Sequence, residues 1–300
     1  MRFAIFFLAL AATISAFAAI DVSRIGKPYG PIWSLCDLCG NPESTYYDPE
    51  SKMLFISNVD GPANAKDGKG SIQMVHSAGK MMNAKWITGL NAPKGMRAYK
   101  GVLWVSDIDQ VLSIDIATGK ITRRIQVRGA KFLNDVAIDT IGTVFVSDML
   151  GAKIYQIVNN TVGTFFEGPL LEGPNGLLVQ DNKLVIACWG KPEADFSTKV
   201  AGRLMKIDLK TKVVEYVTSK PLGNLDGLEI DGKGNYLVSD WMAGKVYSIT
   251  PAGKVQLLFM GMKGSADIGF IPETQTLVIP RMNENQITAF DMTKYPGYKN

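Results

Sequence analysis

The 300-residue chain carries 32 Lys and Arg residues against 28 Asp and Glu residues, a formal net charge of +4, and 46% of its residues are hydrophobic. This composition excludes wholesale disorder and a coiled coil, and because no basic run is interleaved with aromatic residues we expect no nucleic-acid partner. The whole chain contains one histidine, which makes a His-rich zinc centre or a Ser-His-Asp triad difficult to build. Any chemistry must therefore rest mainly on carboxylates, amides, Lys, Arg or a bound metal.

The first eighteen residues have the pattern of a secretory signal peptide. Arg2 supplies one positive charge, residues 4–12 are apolar, and Ala16-Phe17-Ala18 forms a small-x-small cleavage site. The apolar stretch is short for a membrane span. We therefore predict a signal peptide at residues 1–18 and a mature chain, residues 19–300, that is secreted or periplasmic and has no membrane partner.

Three cysteines follow, two of them in the C-x-x-C pair Cys36 and Cys39. In an oxidising compartment a local disulfide is the expected state of such a pair, with free thiols and a functional pair as the alternatives. No βαβ pattern surrounds the pair to favour a thioredoxin-like redox role. Cys188 lies in an apolar run, residues 184–189, and is expected to be buried and inert.

An internal repeat occurs six times between Glu43 and Asp291. Each copy begins with a polar residue, often followed by Gly, and continues through an apolar run and an Asp/Gly turn to a second apolar strand that often ends in Ser-Asp. Two further strands follow in each copy. Four short strands in a unit of about 40 residues are typical of a propeller blade. The sequence therefore predicts an all-β fold, a single six-bladed β-propeller of four-stranded antiparallel blades.

Two details of this propeller can be predicted from the spacing of the copies. The last copy leaves little chain for its fourth strand, so we expect the segment at residues 20–25 to supply that strand and close the ring. Two longer copies contain extra loops, residues 61–70 and 191–202, which both follow a second strand. These loops should lie over the same face of the propeller.

The first residues of the six copies should form a ring, because the innermost strand of each blade runs along the central channel. These residues are Glu43, Lys94, Asn134, Asn175, Asp226 and Asp267. Carboxylate and amide oxygens facing one point suit Ca²⁺, which takes about six to eight oxygen ligands, with Mg²⁺, Mn²⁺ and Zn²⁺ as alternatives. Such residues can also cap turns or line a water-filled channel. Turn bonding is the expected role of Asp107, Asp148 and Asp240, which end second strands.

The ring residues resemble motifs of the senescence-marker protein / gluconolactonase / luciferin-regenerating-enzyme superfamily of six-bladed propellers. The resemblance extends from about Cys39 to Asp291 and is carried by Glu43, Asn134-Asp135, Pro174-Asn175-Gly176 and Asp226-Gly227. It implies a Ca²⁺- or Zn²⁺-dependent lactonase or esterase, with Glu43, Asn175 and Asp226 as metal ligands and Asn134 as a ligand or substrate contact. The chain departs from the family around Glu43, where a Gly-Pro pair is absent, and at Lys94, where paraoxonase-type relatives carry a His.

The first functional hypothesis is a monomeric, divalent-metal-dependent hydrolase of lactones or related esters that acts on a small molecule. In this hypothesis Asp226 is both a metal ligand and the general base or nucleophile, and Lys94 stabilises the oxyanion or orients a substrate carboxylate. Asn134 and Asp135 would contact the substrate.

The second hypothesis is a non-catalytic exported propeller that binds a ligand or a protein across its face and holds a structural calcium. Trp189 and Trp241, which stand at the ends of second strands and are expected to be exposed, would serve that binding.

Overall fold

The computed structural model describes residues 20–21, 29–35, 39–193, 195–295 and 298. In those ranges the chain forms twenty-five β-strands and two short 3₁₀ turns, Met282–Glu284 and Met292–Lys294, and contains no α-helix. None of the helical segments in the described ranges is long and apolar enough to cross a bilayer. The predicted signal peptide and Cys36, and with it the predicted disulfide, lie outside the described residues.

The strands form six sheets, and the predicted six-bladed β-propeller of four-stranded antiparallel blades is confirmed. Two short strands precede the blades: β1 (Ile20–Asp21) and β2 (Trp33–Leu35). Blade 1 contains β3 (Pro42–Asp48), β4 (Met53–Asn58), β5 (Gly70–His76) and β6 (Met81–Leu90). Blade 2 contains β7 (Pro93–Tyr99), β8 (Val102–Asp107), β9 (Gln110–Asp115) and β10 (Lys120–Gln126). Blade 3 contains β11 (Leu133–Ile138), β12 (Val144–Asp148), β13 (Lys153–Val158) and β14 (Thr161–Glu167).

The second half of the ring repeats this arrangement. Blade 4 contains β15 (Pro174–Gln180), β16 (Lys183–Cys188), β17 (Leu204–Asp208) and β18 (Val214–Tyr216). Blade 5 contains β19 (Leu225–Ile230), β20 (Tyr236–Asp240), β21 (Lys245–Ile249) and β22 (Val255–Met260). Blade 6 contains β23 (Gly269–Ile271), β24 (Thr276–Arg281) and β25 (Gln286–Asp291).

The ring is closed by β2, so the prediction that residues 20–25 supply the missing strand is wrong. β2 pairs antiparallel with β25, with Trp33 opposite Ala289, and becomes the fourth strand of blade 6. Trp33 and Leu35 pack against the cluster that contains Ile287 and Ala289, and this burial favours the pairing. β1 instead pairs parallel with β22 and adds a fifth strand to blade 5.

The hydrophobic core lies between neighbouring blades. One cluster joins Phe145 and Ile154 of blade 3 to Leu184 and Ile207 of blade 4, and others repeat this arrangement around the ring. Burying one such side chain stabilises the fold by about 1.5–3 kcal/mol. The packing between blades holds the six inner strands at fixed positions around the central channel.

Candidate functional site

The first residues of the repeats lie at equivalent positions on the inner strands, as the repeat register predicts. In blades 1 to 5 they are the second residue of the inner strand, and in blade 6 Asp267 precedes β23. All six ring residues are buried, with exposed fractions of 5% or less: Glu43, Lys94, Asn134, Asn175, Asp226 and Asp267. The strand register shifts beside this position in blades 1 to 5, for example between Pro174 and Leu177. Such bulges redirect a side chain.

Glycine follows the ring residue where the next blade approaches the inner strand closely. A Cβ atom on Gly176 would lie 2.2 Å from the backbone oxygen of Asp226, and one on Gly227 would lie 2.3 Å from the backbone nitrogen of Ile268. Real Cβ atoms do not approach backbone atoms this closely. The glycines therefore allow the inner strands to bring their ring residues together around the axis.

The Ser-Asp pairs that end the second strands form hydrogen bonds with the backbone at the start of the inner strands. Asp148 accepts hydrogen bonds from the backbone N–H groups of Lys131 and Phe132 at 3.0 and 2.9 Å. Ser147 Oγ accepts from the backbone N–H of Asp135 at 2.8 Å. Asp107 and Asp240 bind backbone N–H groups in the same way, which confirms the predicted turn-bonding role of these aspartates.

A cavity of about 330 Å³ opens at the ring. Its polar end is formed by five of the six ring residues: Glu43, Lys94, Asn134, Asn175 and Asp226. The walls are mainly aromatic and methionine side chains: Phe132, Met149, Trp189, Phe196, Trp241, Met242 and Met282. Ala63 and Asp195 complete the lining. Ala63 comes from the loop at 61–70 and Phe196 from the loop at 191–202, so both extra loops lie over this face, as predicted.

Trp189 is a wall of the cavity and not an exposed binding residue, which corrects the sequence expectation. Its exposed fraction is 5%, because the loop at 191–202 folds back over it. The indole Nε1 donates a hydrogen bond to the backbone oxygen of Phe196 at 2.8 Å. Asn224 Nδ2 donates to the backbone oxygen of Trp189 and to Thr198 Oγ1, and these bonds anchor the loop to blade 5.

Four oxygen atoms at the polar end of the cavity are buried and have no hydrogen-bond partner within the described residues. They are Glu43 Oε2, Asn134 Oδ1, Asn175 Oδ1 and Asp226 Oδ1. Buried polar atoms are nearly always hydrogen-bonded, so four unpartnered oxygens around one cavity require a physical explanation. No group of three or more His, Cys, Asp and Glu residues in the described ranges is placed to hold a metal. The four oxygens belong to two carboxylates and two amides, and hard cations such as Ca²⁺ bind ligands of both kinds.

Burial has the largest effect on the pKa values of the two carboxyl groups among these four residues. It raises the pKa of Glu43 well above its usual value, and the charge of Asp226 raises it further. Burial and the neighbouring Asp267 likewise raise the pKa of Asp226 well above its usual value. Each carboxylate is therefore destabilised in its charged form unless a positive charge compensates it.

Lys94 is a buried ammonium group with most of its donors already occupied. Burial lowers its pKa to about 8, and the charges of Glu43 and Asp107 oppose this effect. Nζ donates hydrogen bonds to the backbone oxygens of Ala63 and Ala92, both at 2.9 Å, and lies 4.5 Å from the centre of the Phe132 ring. An ammonium group has three donors, so one remains for the cavity.

Two residues expected near the site point elsewhere. Asp135, expected to contact substrate, is fully buried between blades 3 and 4, and its carboxylate accepts hydrogen bonds from the backbone N–H groups of Val136 and Leu177 at 2.6 Å. Burial raises its pKa to about 7. Asp267 does not line the cavity; its Oδ2 accepts a hydrogen bond from Ser44 Oγ at 2.5 Å, and its Oδ1 is buried without a partner among the described residues. Both side chains fasten neighbouring blades together.

An ion pair that the sequence reasoning missed lies further along the channel. Arg97 and Glu229 each follow the ring residue of their strand by three positions, on blades 2 and 5, which face each other across the ring. Arg97 Nη1 lies 2.7 Å from Glu229 Oε1, and the guanidinium lies 5.0 Å from the centre of the Tyr46 ring. The side chains are 14% and 12% exposed. At about 3.3 Å per residue, the pair spans the channel about 10 Å from the ring.

No protein-family model and no curated protein sequence matches the chain. Among solved structures, a streptogramin B lyase superposes with a TM-score of 0.60 and 11% identity, covering 86% of this chain and 95% of that one. A catalytically inactive virginiamycin B lyase from Staphylococcus aureus with quinupristin gives 0.57 and 14%, with coverages of 86% and 97%. A chain of a nidogen/laminin complex gives 0.58 and 15%, with coverages of 75% and 91%. These similarities support the six-bladed propeller fold and do not single out the gluconolactonase-like superfamily.

Proposed function

We propose that the protein is a divalent-metal-dependent hydrolase of lactones or related esters, with the cation at the polar end of the cavity. The observation that supports this proposal is the set of four buried, unpartnered oxygens on Glu43, Asn134, Asn175 and Asp226. They come from four different blades and line one cavity. A single cation would give all four a partner.

The charges of the donor set suit a divalent cation. Glu43 and Asp226 contribute two negative charges in their deprotonated forms, and the two amides contribute neutral oxygens. A bound cation would offset the burial that raises the pKa of both carboxyl groups. We expect Ca²⁺, with Zn²⁺, Mg²⁺ and Mn²⁺ as alternatives, since Ca²⁺ takes about six to eight oxygens and would leave positions for water or substrate.

The residues of the chain would divide the remaining tasks. The cation, when bound, would supply Lewis acidity toward an ester carbonyl oxygen. Asp226 would hold and deprotonate the attacking water as general base, and Asn134 would orient the substrate. The one remaining N–H of Lys94 would donate to the oxyanion or to a carboxylate of the substrate. The apolar walls exclude water and thereby strengthen these electrostatic interactions.

The similar lyases suggest a second type of chemistry, which this cavity supports less well. One of those structures is a catalytically inactive His-to-Ala variant, so that lyase depends on a histidine. The single histidine of this chain, His76, is exposed at the end of β5 and is not among the residues that line the cavity. Carboxylates, amides and Lys94 are the groups present, and they favour metal-assisted hydrolysis.

The proposal is tested by measuring hydrolysis of a panel of lactones and esters after EDTA treatment and after adding back each of the four cations. We expect EDTA to abolish turnover and Ca²⁺ to restore it. Asp226→Asn should abolish turnover, whereas Asp181→Asn, at an exposed position whose left-handed backbone suits Asn, should leave it unchanged.

Two results would contradict the proposal in different ways. Turnover that survives EDTA would exclude a metal-dependent reaction. A protein that binds the cation but hydrolyses no member of the panel would favour the non-catalytic propeller with a structural calcium.

A further inference from the structure

The walls of the cavity are mainly apolar and present few free hydrogen-bonding groups. Two aromatic pairs line them: Phe132 with Phe196, with ring centres 5.5 Å apart and planes tilted by 56°, and Trp189 with Trp241, with ring centres 6.0 Å apart and planes tilted by 49°. Met149, Met242 and Met282 complete the lining, and methionine adapts its shape to an apolar ligand.

Most polar groups of these walls are already bonded within the protein. The exceptions are the indole N–H of Trp241, which has no acceptor among the described residues, and the exposed carboxylate of Asp195, which is only partly bonded. The indole N–H of Trp189 donates to the backbone oxygen of Phe196, and two donors of Lys94 are bound to backbone oxygens. Asp195 accepts hydrogen bonds from the backbone N–H and the hydroxyl of Ser197. A hydroxyl-rich molecule would give up its bonds to water on entering and find few replacements.

We infer that the substrate of the proposed site is a lactone or ester that carries an aromatic or other compact apolar group, and not a sugar lactone. This inference rests on the proposed function and narrows its substrate class. The carbonyl lies at the polar end, beside Asn134 and Asp226, and the apolar group lies between the aromatic walls. A cavity of about 330 Å³ is near the lower end of the range for small-molecule sites, about 300–1,000 Å³, and holds one such molecule.

The reaction on this substrate needs only water as a co-reactant. The bond between the acyl carbon and the ring oxygen breaks, and the hydroxyl of water joins the acyl carbon. The second proton of water ends on the released oxygen, so the product is a hydroxy acid with its apolar group unchanged.

The test compares two six-membered lactones that differ in their substituents, 6-phenyl-δ-valerolactone and D-glucono-δ-lactone. With Ca²⁺ bound, we expect kcat/KM for the phenyl compound to be at least about tenfold higher, because most of the sugar hydroxyls would find no hydrogen-bond partner in the cavity. Met242→Ala should lower kcat/KM for the phenyl compound by roughly tenfold. Met82→Ala is its matched control, since Met82 is 47% exposed on β6 and Met242 is 42% exposed at the cavity.

Binding of the two corresponding lactams, which resist hydrolysis, separates this inference from the proposed function. Calorimetry should show binding of the phenyl lactam and weaker binding after Met242→Ala. Phenyl lactam binding without lactone turnover would support the apolar site and contradict the hydrolase. Metal-dependent turnover that favours the sugar lactone would support the hydrolase and overturn the inference. Failure of the phenyl lactam to bind would also overturn it.

Discussion

The ion pair between Arg97 and Glu229 offers a strong test of how the channel is built. Replacing Glu229 with Gln leaves the guanidinium of Arg97, which is largely shielded from solvent at 14% exposed, without the carboxylate that lies 2.7 Å away in the wild type. Removing one partner of a buried pair costs about 3–5 kcal/mol of stability. At roughly 2–4 °C per kcal/mol for a domain of this size class, the expected fall in Tm is about 6–20 °C.

The matched control is Glu215→Gln, which removes a longer contact with Lys206 at 3.7 Å and mainly breaks the surface pair of Glu215 with Lys183. These side chains are 44% and 30% exposed, so the expected loss is at most about 1 kcal/mol. Urea denaturation gives both values through the midpoint and slope. The double variant Arg97→Met/Glu229→Leu should lose less than the sum of its single variants, because neither member of the pair is left charged and unpaired, although Asp135 and Asp267 lose the positive charge of Arg97. Equal losses for Glu229→Gln and Glu215→Gln would refute a desolvated bridge across the channel.

Three further outcomes follow from the inner strands and the buried groups. Gly176→Ala should lower the free energy of unfolding, measured by urea denaturation, by about 1–3 kcal/mol, because the new Cβ would meet the Asp226 backbone oxygen. In the control Gly163→Ala the nearest neighbours of the new Cβ are 3.9 Å away, so the change should stay within about 0.5 kcal/mol. Burial raises the pKa of Cys188 to about 12, so this thiol should not react with iodoacetamide in the native protein at pH 8. It should react once urea unfolds the protein, and peptide mass spectrometry measures both outcomes. Burial raises the pKa values of Glu43, Asp226, Asp135 and Asp267, so the folded metal-free state binds more protons than the unfolded state and its Tm should fall as pH rises from about 5 to 8. Saturating Ca²⁺ should reduce this slope by the part that Glu43 and Asp226 contribute; a flat profile without metal would contradict the burial of these carboxyl groups.

The ring could be predicted from the sequence because the repeat has a fixed register. Asn134 to Ser147 and Asp226 to Ser239 are each 13 residues apart, and in the structure the backbone N–H next to the ring residue binds that serine in both blades. A position that repeats along the chain must repeat around the axis. Five of the six predicted residues line the cavity for this reason.

The exceptions arise where a polar residue replaces the glycine after the ring position. Ser44 in blade 1 donates a hydrogen bond to the carboxylate of Asp267, which does not line the cavity. Asp135 in blade 3 binds the backbone of blade 4 and so contacts no part of the cavity. The side chain at this position meets the neighbouring blade, and its partner depends on the packing between blades, which the repeat pattern does not contain.

Long-range pairings could not be predicted from local patterns. β2 joins β25 across more than 250 residues, and the local sequence near the N-terminus does not show which segment pairs with β25. Arg97 and Glu229 are 132 residues apart, and only the geometry of opposite blades brings them together. The buried position of Trp189 depends on a loop whose length, but not its path, is visible in the sequence.

The most direct test of the central claim is a calorimetric titration of EDTA-treated protein with Ca²⁺, Mg²⁺, Mn²⁺ and Zn²⁺. We predict one cation site in the wild type and binding weaker by at least about tenfold in Glu43→Gln and Asp226→Asn. The controls Glu50→Gln and Asp181→Asn, at exposed positions, should bind the cation as the wild type does. Free ion at a hundred times its dissociation constant should stabilise the wild type by about 2.7 kcal/mol. If no ion binds the wild type, or if Glu43→Gln and Asp226→Asn bind as the wild type does, the four unpartnered oxygens do not form a metal site and the metal-dependent hydrolase is contradicted.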